Sequence, residues 1–589
     1  MILRPSQSIV LNLRNKWEEG EGGLYRGSIL DNDDLNDGTI FKKPWDADDL
    51  DEMLTYLKSL QGFFSCVLFD EDRLLLIVDH VRSHPLYYRV SGKNITVTDD
   101  PQSIFDPKQD SLSTASALDF LCLGYVTGEN TLMEGIKQVE PGTCVSFQDG
   151  KLEKRTYFDY RPDLVQSVDP EAYYDNFLRA LESTFHRLRI VTKGKQIAIP
   201  LSGGFDSRLI ALCLKRFDFS NVIAFSYGPP GNKDSKISKQ IAGELGFDWF
   251  FVPYSIELWS KVAKSKSWSD YCSCAFQLTS VPHLQDFPAI ESLVNEGIIA
   301  ANATVTPGIR IPGVRVPRFV PGPDDMVSKH DLLDAMVPYH YSLWRFEPGS
   351  PLDRMFRSQL SDRLSLDMVM HKTVAASKNG NWFLREREAK FLVNSVRCYE
   401  LHGLRWWLPL MDKGLASFWE KAVYDCKQKA CFDQSVRKLT QEVIGDPDRF
   451  GRARWSDNHG GSSASKDIDK KEGVAAPETK SYPLNISLDW IRKSKFTNKL
   501  LYELGYHREV EYYDSDYAFF GVIDKKEFLR TYTGRENINS FIALDLLKAF
   551  IDPKSLSPSD KEQFRSILIF KSNMLKYLER NARRRKNAR

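Results

Sequence analysis

The sequence predicts an α/β protein built on a parallel sheet, preceded by a β-rich α+β domain and followed by a helical carboxyl-terminal part, on three observations. The first is Ile199-Pro200-Leu201-Ser202-Gly203-Gly204-Phe205-Asp206-Ser207, an apolar strand that runs through a glycine pair into a helix-period segment. The second is the regular exchange of strand and helix between Gln196 and Val252. The third is a series of short apolar strands parted by turns in the first 160 residues.

In the amino-terminal part, Gly62 to Phe69 and Arg73 to Asp79 read as strands around the turn Asp70-Glu71-Asp72. Pro85 to Tyr88 and Asn94 to Thr98 form a second hairpin, and Gly135-Ile136 and Pro141-Gly142 precede a further strand. Gln196 to Leu201 is then a strand, followed by a helix on which Leu209, Ile210, Cys213, Leu214 and Phe217 share one face. Val222 to Tyr227 is the second strand, a helix begins at Asp234 with Ile237, Ile241, Ala242 and Leu245 on its apolar face, and Trp249 to Val252 is the third strand. Parallel strands joined by right-handed crossovers place ligands at their carboxyl ends.

The glycine pair carries the chemistry. Without a Cβ, Gly203 and Gly204 let an anion approach the backbone N–H groups, and the helix that follows adds positive potential. Ser202 and Ser207 offer hydroxyl donors, whereas Asp206 suits a phosphate site only as a magnesium ligand. This SGGxDS pattern resembles the loop of PP-loop ATP pyrophosphatases; a Walker A loop would carry Lys before the last Ser or Thr. A tight turn with no ligand is the plainer alternative, and the flanking periodicities argue against it. The resemblance implies ATP and Mg2+ as cofactors, with Leu201, Ser202, Gly203, Gly204, Asp206 and Ser207 around the phosphates and Phe225 and Tyr227 beside the adenine. It also implies that the β and γ phosphates leave together and that the acceptor is adenylated.

Residues 50 to 160 resemble the glutaminase domain of asparagine synthetases, an Ntn-hydrolase-like sandwich. That fold uses an N-terminal Cys whose own amine is the base. This chain reads Met1-Ile2-Leu3, its first cysteine is Cys66, and Cys66 lies inside a predicted strand, so the expectation is a degenerate domain without glutaminase activity. Further on, Phe391 to Glu400 reads as helix and Leu408-Pro409-Leu410-Met411-Asp412 resembles the PFLD-like motif of the same family. By that resemblance Glu400 is a catalytic carboxylate that orients or deprotonates the amine, and Lys429 steadies charge on the adenylate. A solvated helix residue and one lysine among several are the plainer alternatives. The family's second magnesium aspartate is missing from Ala303 to Pro317, where Arg310 and Arg315 stand as replacement cations and Asp324 and Asp325 as replacement acids. The expected layout is therefore a glutaminase-like domain over 1–160, a PP-loop synthetase domain over 175–455, a linker over 456–482 and a helical extension over 483–589.

At 589 residues, 42% hydrophobic and net charge +1, the chain has the composition of globular domains and no global basic balance for nucleic acid. No apolar stretch reaches membrane-span length, and the expected location is the cytoplasm. The nine cysteines are odd in number and sit mostly in apolar runs as reduced thiols, and Cys272 with Cys274 lacks the partners of a metal site. Ser456 to Glu478, poor in large apolar groups, is expected as a loop, and Arg580 to Arg589 as a basic, solvated helix end.

The reading is an amide-forming ligase that adenylates a carboxylate for capture by ammonia or an amine. The segment Pro282 to Pro288 resembles the branch found with bacterial surface-polysaccharide synthesis, which implies a sugar carboxylate or similar acid, rather than aspartate, as the acceptor. Partners are then a small-molecule or sugar carboxylate and an amine donor, with no nucleic acid, and a homodimer is left open. A PP-loop enzyme acting on RNA lacks its thiol pair and basic domain here. A pseudoenzyme that binds nucleotide without turnover is the other alternative, favoured by the missing aspartate and the missing N-terminal Cys.

Overall fold

Eight of the nine residues of the strand Gln61–Phe69 are buried, because the sheet that contains it is covered on both faces. That sheet runs in the order Lys151–Thr156, Thr143–Gln148, Arg73–Val78, Gln61–Phe69, Gly23–Asp31 and Glu18–Gly20, with Asp34–Leu35 added beside Gly23–Asp31. On one face Met53, Leu54 and Leu57 of the helix Leu50–Ser59 pack on Phe64, Cys66, Leu68 and Ile77. On the other, Val67, Leu74, Leu76 and Val78 meet Leu86, Tyr88, Ile95 and Val97. The last four belong to or flank a second sheet, ordered Gln7–Val10, Asn94–Thr98, Tyr87–Ser91 and Lys137–Gln138. The α+β sandwich expected from the sequence is present, with its two predicted hairpins in place.

The computed structural model describes residues 7–12, 15–20, 22–35, 50–70, 73–162, 170–311, 323–421, 428–446, 450, 512, 516–532, 536–548, 550 and 557–567. Met1 to Leu3, Arg315, the Ser456 to Glu478 segment and the Arg580 to Arg589 tail lie outside these residues, as does the Lys429 side chain.

The second sheet system is parallel, ordered Asp248–Pro253, Val222–Gly228, Ile197–Pro200, Thr304–Val305 and Arg405–Trp406. Ile197 pairs with Val222 on one side and Thr304 on the other, so the strand leading into the glycine pair is central. The helices Phe205–Arg216 and Lys233–Leu245 follow the first two strands in sequence, as the periodicity predicts. The expected helix over Phe391 to Glu400 is instead the end of a π-helix (Phe383–Leu392), a 3-10 turn (Val393–Val396) and an α-helix (Arg397–Leu401). Its wider turn brackets a buried pair: Lys390 Nζ lies 2.6 Å from Glu386 Oε2 and donates to the Gly128 carbonyl at 2.7 Å, while Gly128 N–H donates to Glu386 at 3.0 Å.

The sandwich docks on the edge strand Arg405–Trp406. Phe63 meets the Trp407 ring edge-on at 4.7 Å, and His80 Nε2 bonds the Met411 carbonyl at 2.7 Å. Asp412, the acid of the PFLD-like motif, accepts a two-armed contact from Arg187 at 2.6 and 2.9 Å and caps the helix Lys413–Glu420 through Gly414 N–H. The carboxyl-terminal residues join the same core: Trp344 Nε1 donates to the Ser540 carbonyl at 3.1 Å and Phe105 packs on Phe550.

Candidate functional site

The strand Ile197–Pro200 ends at Leu201, which is buried and donates its N–H to the Phe225 carbonyl at 2.8 Å. Gly204 then caps the helix Phe205–Arg216 in extended geometry. Within the loop, Ser202 N–H donates to Ser207 Oγ and Gly204 N–H to Ser202 Oγ, each at 3.1 Å, so the two predicted serines hold the turn's shape together. A Cβ on Gly203 would come 2.9 Å from Asp234 Oδ1 and 3.1 Å from Ile237 Cδ1, which explains why that position is glycine.

Three further groups converge on the loop. Arg310 Nε lies 2.8 Å from Asp206 Oδ1, with the guanidinium 4.5 Å from the Phe432 ring centre. Gly308 seats that segment: a Cβ there would lie 2.9 Å from the Ser207 nitrogen. Arg208, buried beside Phe205 and Phe450, donates to the Gly203 carbonyl at 3.1 Å, and burial pushes its guanidinium down to about 10, still charged at neutral pH. Arg208 sits next to the motif and was legible there; Asp234 and Phe432 carry no sequence signal of their own.

The sequence assigns Asp206 to magnesium, and in this structure the residue stands in an ion pair with Arg310. No group of three or more His, Cys, Asp or Glu that could hold a metal ion occurs among the described residues. Of the replacement acids, Asp325 is 2.8 Å from Lys372 and Asp324 is exposed in the turn Pro323–Asp325.

Phe225 is fully buried, so its ring belongs to the core and only its backbone can border a ligand. Tyr227 is half-buried, with its phenol donating to Asp286 Oδ1 at 2.5 Å; Tyr399 donates to the other oxygen of the same carboxylate. The Pro282 to Pro288 segment thus enters the fold through Asp286 as a tether between two tyrosines.

Glu400 is held at the boundary with the amino-terminal sandwich. Arg26 of the sandwich lies 2.8 Å from Glu400 Oε2, Arg397 is 2.7 Å from the same oxygen, and Trp406 Nε1 donates to Oε1 at 3.0 Å. Burial would raise this carboxyl, but Arg26, Arg397 and the indole together hold it below its ordinary value. The sequence assigns Glu400 as a catalytic carboxylate, and in this structure it is paired with two guanidiniums at the domain boundary. Lys429 lies in the first turn of the helix Gln428–Ile444, one turn before Phe432. Cys66 is fully buried in its strand and burial pushes its thiol far up, so it is no nucleophile.

Residues 53–158 match the glutamine amidotransferase domain family and residues 187–261 the asparagine synthase family. Over these two segments the chain is similar to asparagine synthetases. A curated relative of this chain is a carboxyethyl-arginine beta-lactam-synthase of Streptomyces clavuligerus, 29% identical over 160 residues, 27% of this chain and 29% of the relative. The match thus spans less than a third of that relative's length. Among solved structures, an NH3-dependent NAD synthetase from Campylobacter jejuni aligns at 16% identity over 24% of this chain and 56% of its own, with TM-score 0.16. A glutamine phosphoribosylpyrophosphate amidotransferase from B. subtilis, complexed with ADP and GMP, aligns at 10% over 40% of this chain and 71% of its own, with TM-score 0.17. None of the described helices is long and apolar enough to cross a membrane.

Proposed function

We propose that the chain is an ATP-dependent, AMP-forming carbon–nitrogen ligase. The observation that carries this reading is the Ser202 to Ser207 turn at the carboxyl end of the central parallel strand, with Arg310 and Arg208 against it. A pyrophosphate lodged on Gly203 and Gly204 meets backbone N–H groups and the helix N-terminus, and Arg310 in place of a metal supplies the cation. The acceptor carboxylate attacks the α-phosphorus, the bond to the β-phosphate oxygen breaks, and pyrophosphate leaves. An amine nitrogen then attacks the acyl carbon, the bond to AMP breaks, and the nitrogen gives its proton to solvent. Lys429 is the residue we assign to charge on the adenylate, because its helix brings Phe432 against Arg310.

The nitrogen comes from free ammonia or an amine, since Cys66, Cys122 and Cys144 of the sandwich are all buried thiols pushed upward by burial. The name of the Streptomyces relative describes formation of a cyclic amide, a reaction of the same class. The acceptor we assign is a small carboxylate, and a sugar acid is the member of that class to try first.

The test is product analysis of ATP incubated with the protein and candidate acids and amines. AMP with pyrophosphate supports the ligase, and ADP with phosphate contradicts the loop reading. Nucleotide binding without turnover gives the second reading, a nucleotide-binding pseudoenzyme, which the commitment of Asp206 to Arg310 and of Glu400 to Arg26 favours.

A further inference from the structure

A tyrosine from far down the chain lies at the carboxyl end of the strand Val222–Gly228, where the sequence resemblance expects the adenine. The segment Asp516–Val522 runs along the helix Ile256–Val262, held by Trp259 Nε1 donating to the Tyr517 carbonyl and Ser260 Oγ to the Gly521 carbonyl, both at 3.0 Å. Gly521 is what allows this approach, since a Cβ there would lie 2.5 Å from the Ile256 carbonyl oxygen. Tyr517 then crosses the carboxyl end of the strand Val222–Gly228: its Cδ1 lies 3.1 Å from where a Cβ on Gly228 would stand, and its ring centre is 5.9 Å from that of Tyr227. Its hydroxyl donates to Asp234 Oδ2 at 3.1 Å, and the other oxygen of Asp234 lies 2.9 Å from the Cβ position of Gly203 in the phosphate turn. One carboxylate therefore joins the phenol to the phosphate loop.

The backbone shows that this position is imposed. Tyr517 and Ala518 have φ of 61° and 56°, two successive left-handed residues of which neither is glycine. Such a conformation persists only where surrounding contacts over-determine it, and it favours release when those contacts are replaced. A cleft of about 610 Å3 lined by Ile256, Ser260, Lys261, Tyr512 and Lys525 lies along the same segment.

We propose that Tyr517 holds the place of the purine base and leaves it when ATP enters, so that this residue sets the affinity for nucleotide against that for bare pyrophosphate. The inference rests on the PP-loop reading above. The planar ring on the Gly228 backbone occupies the flat apolar surface at the strand end, and its hydroxyl ties it to the helix N-terminal turn that a bound nucleotide would border. Opening the site then lowers apparent affinity by the fraction of molecules already open.

The experiment measures binding of ATP and of inorganic pyrophosphate to the full chain by calorimetry. Tyr517→Ala is expected to tighten ATP by ~10-fold or more while pyrophosphate affinity stays within a factor of about two. Tyr517→Phe, which keeps the ring and loses the Asp234 bond, is expected to tighten ATP less. Unchanged or weaker ATP binding by Tyr517→Ala overturns the proposal. As a check that does not depend on the alanine variant folding, Tyr517→Trp is expected to change its emission with ATP and to stay silent with pyrophosphate; the same response to both ligands overturns it. Pyrophosphate binding by the unaltered chain with no effect of Tyr517→Ala sinks this inference alone. Failure of every form to bind either ligand sinks the PP-loop reading with it.

Discussion

Arg26 and Glu400, 374 residues apart in sequence and 2.8 Å apart in space, join the amino-terminal sandwich to the parallel-sheet domain. Arg397 shares the carboxylate at 2.7 Å and His84 Nδ1 lies 3.6 Å from its other oxygen. Glu400→Gln leaves two guanidiniums facing each other without their counter-charge, and a loss of about 3–5 kcal/mol of stability is expected. Denaturant unfolding measures it. Activity per folded molecule is expected to survive; its abolition in a fully folded variant would support the catalytic role.

The same cluster gives a pH dependence. Burial, then Arg26 and Arg397, hold the His84 imidazole well below its ordinary 6.5, so it is neutral in the folded chain. Its contribution is complete above 6.5 and is lost as pH falls from 6.5 toward the folded value, because the unfolded chain then takes up a proton that the folded chain refuses. Glu400 acts in the same direction below its own ordinary 4.5. Replacing His84 with Gln is expected to flatten the fall in melting temperature between about pH 7 and about pH 5. An unaltered slope would show that another group is responsible.

At the loop, Arg310→Ala removes the cation at Asp206, and pyrophosphate is expected to bind ~10–100-fold more weakly, the value of a charge-assisted contact. Asp206→Asn leaves Arg310 freer to reach phosphate and is expected to keep pyrophosphate binding. Loss of binding in Asp206→Asn with no effect of Arg310→Ala would support the metal role of Asp206.

Gly308→Ala places a methyl 2.9 Å from the Ser207 nitrogen, a backbone atom that cannot step aside. The expected result is a folded protein, destabilised by about 1–3 kcal/mol, with weakened nucleotide binding. Wild-type affinity in this variant would mean that the 303 to 311 segment is not part of the site.

Asp412→Ala removes the two-armed partner of the buried Arg187, leaving it Asp33 at 3.2 Å and Ser183 at 2.9 Å, and uncaps the helix Lys413–Glu420. A loss of about 3–5 kcal/mol is expected in thermal or denaturant unfolding. A loss under about 1 kcal/mol would show that the pair is exposed to water in solution.

The sequence by itself determined the strands Gln61–Phe69, Val222–Gly228 and Ile197–Pro200, the helices that follow the last two, and the Ser202 to Ser207 turn. These depend on local rules: apolar periodicity, helix capping and glycine at a close approach. It singled out Glu400 without its partners, because a helical Glu before a PFLD-like motif looks the same whether it faces a substrate or an arginine from another domain. Only the tertiary structure put Arg26 on Glu400, Arg310 on Asp206 and Tyr517 on Gly228. Each pair spans more than a hundred residues, and the chain folding back on itself, with the desolvated charges and rings that must then find partners, decides such pairs where no local pattern can.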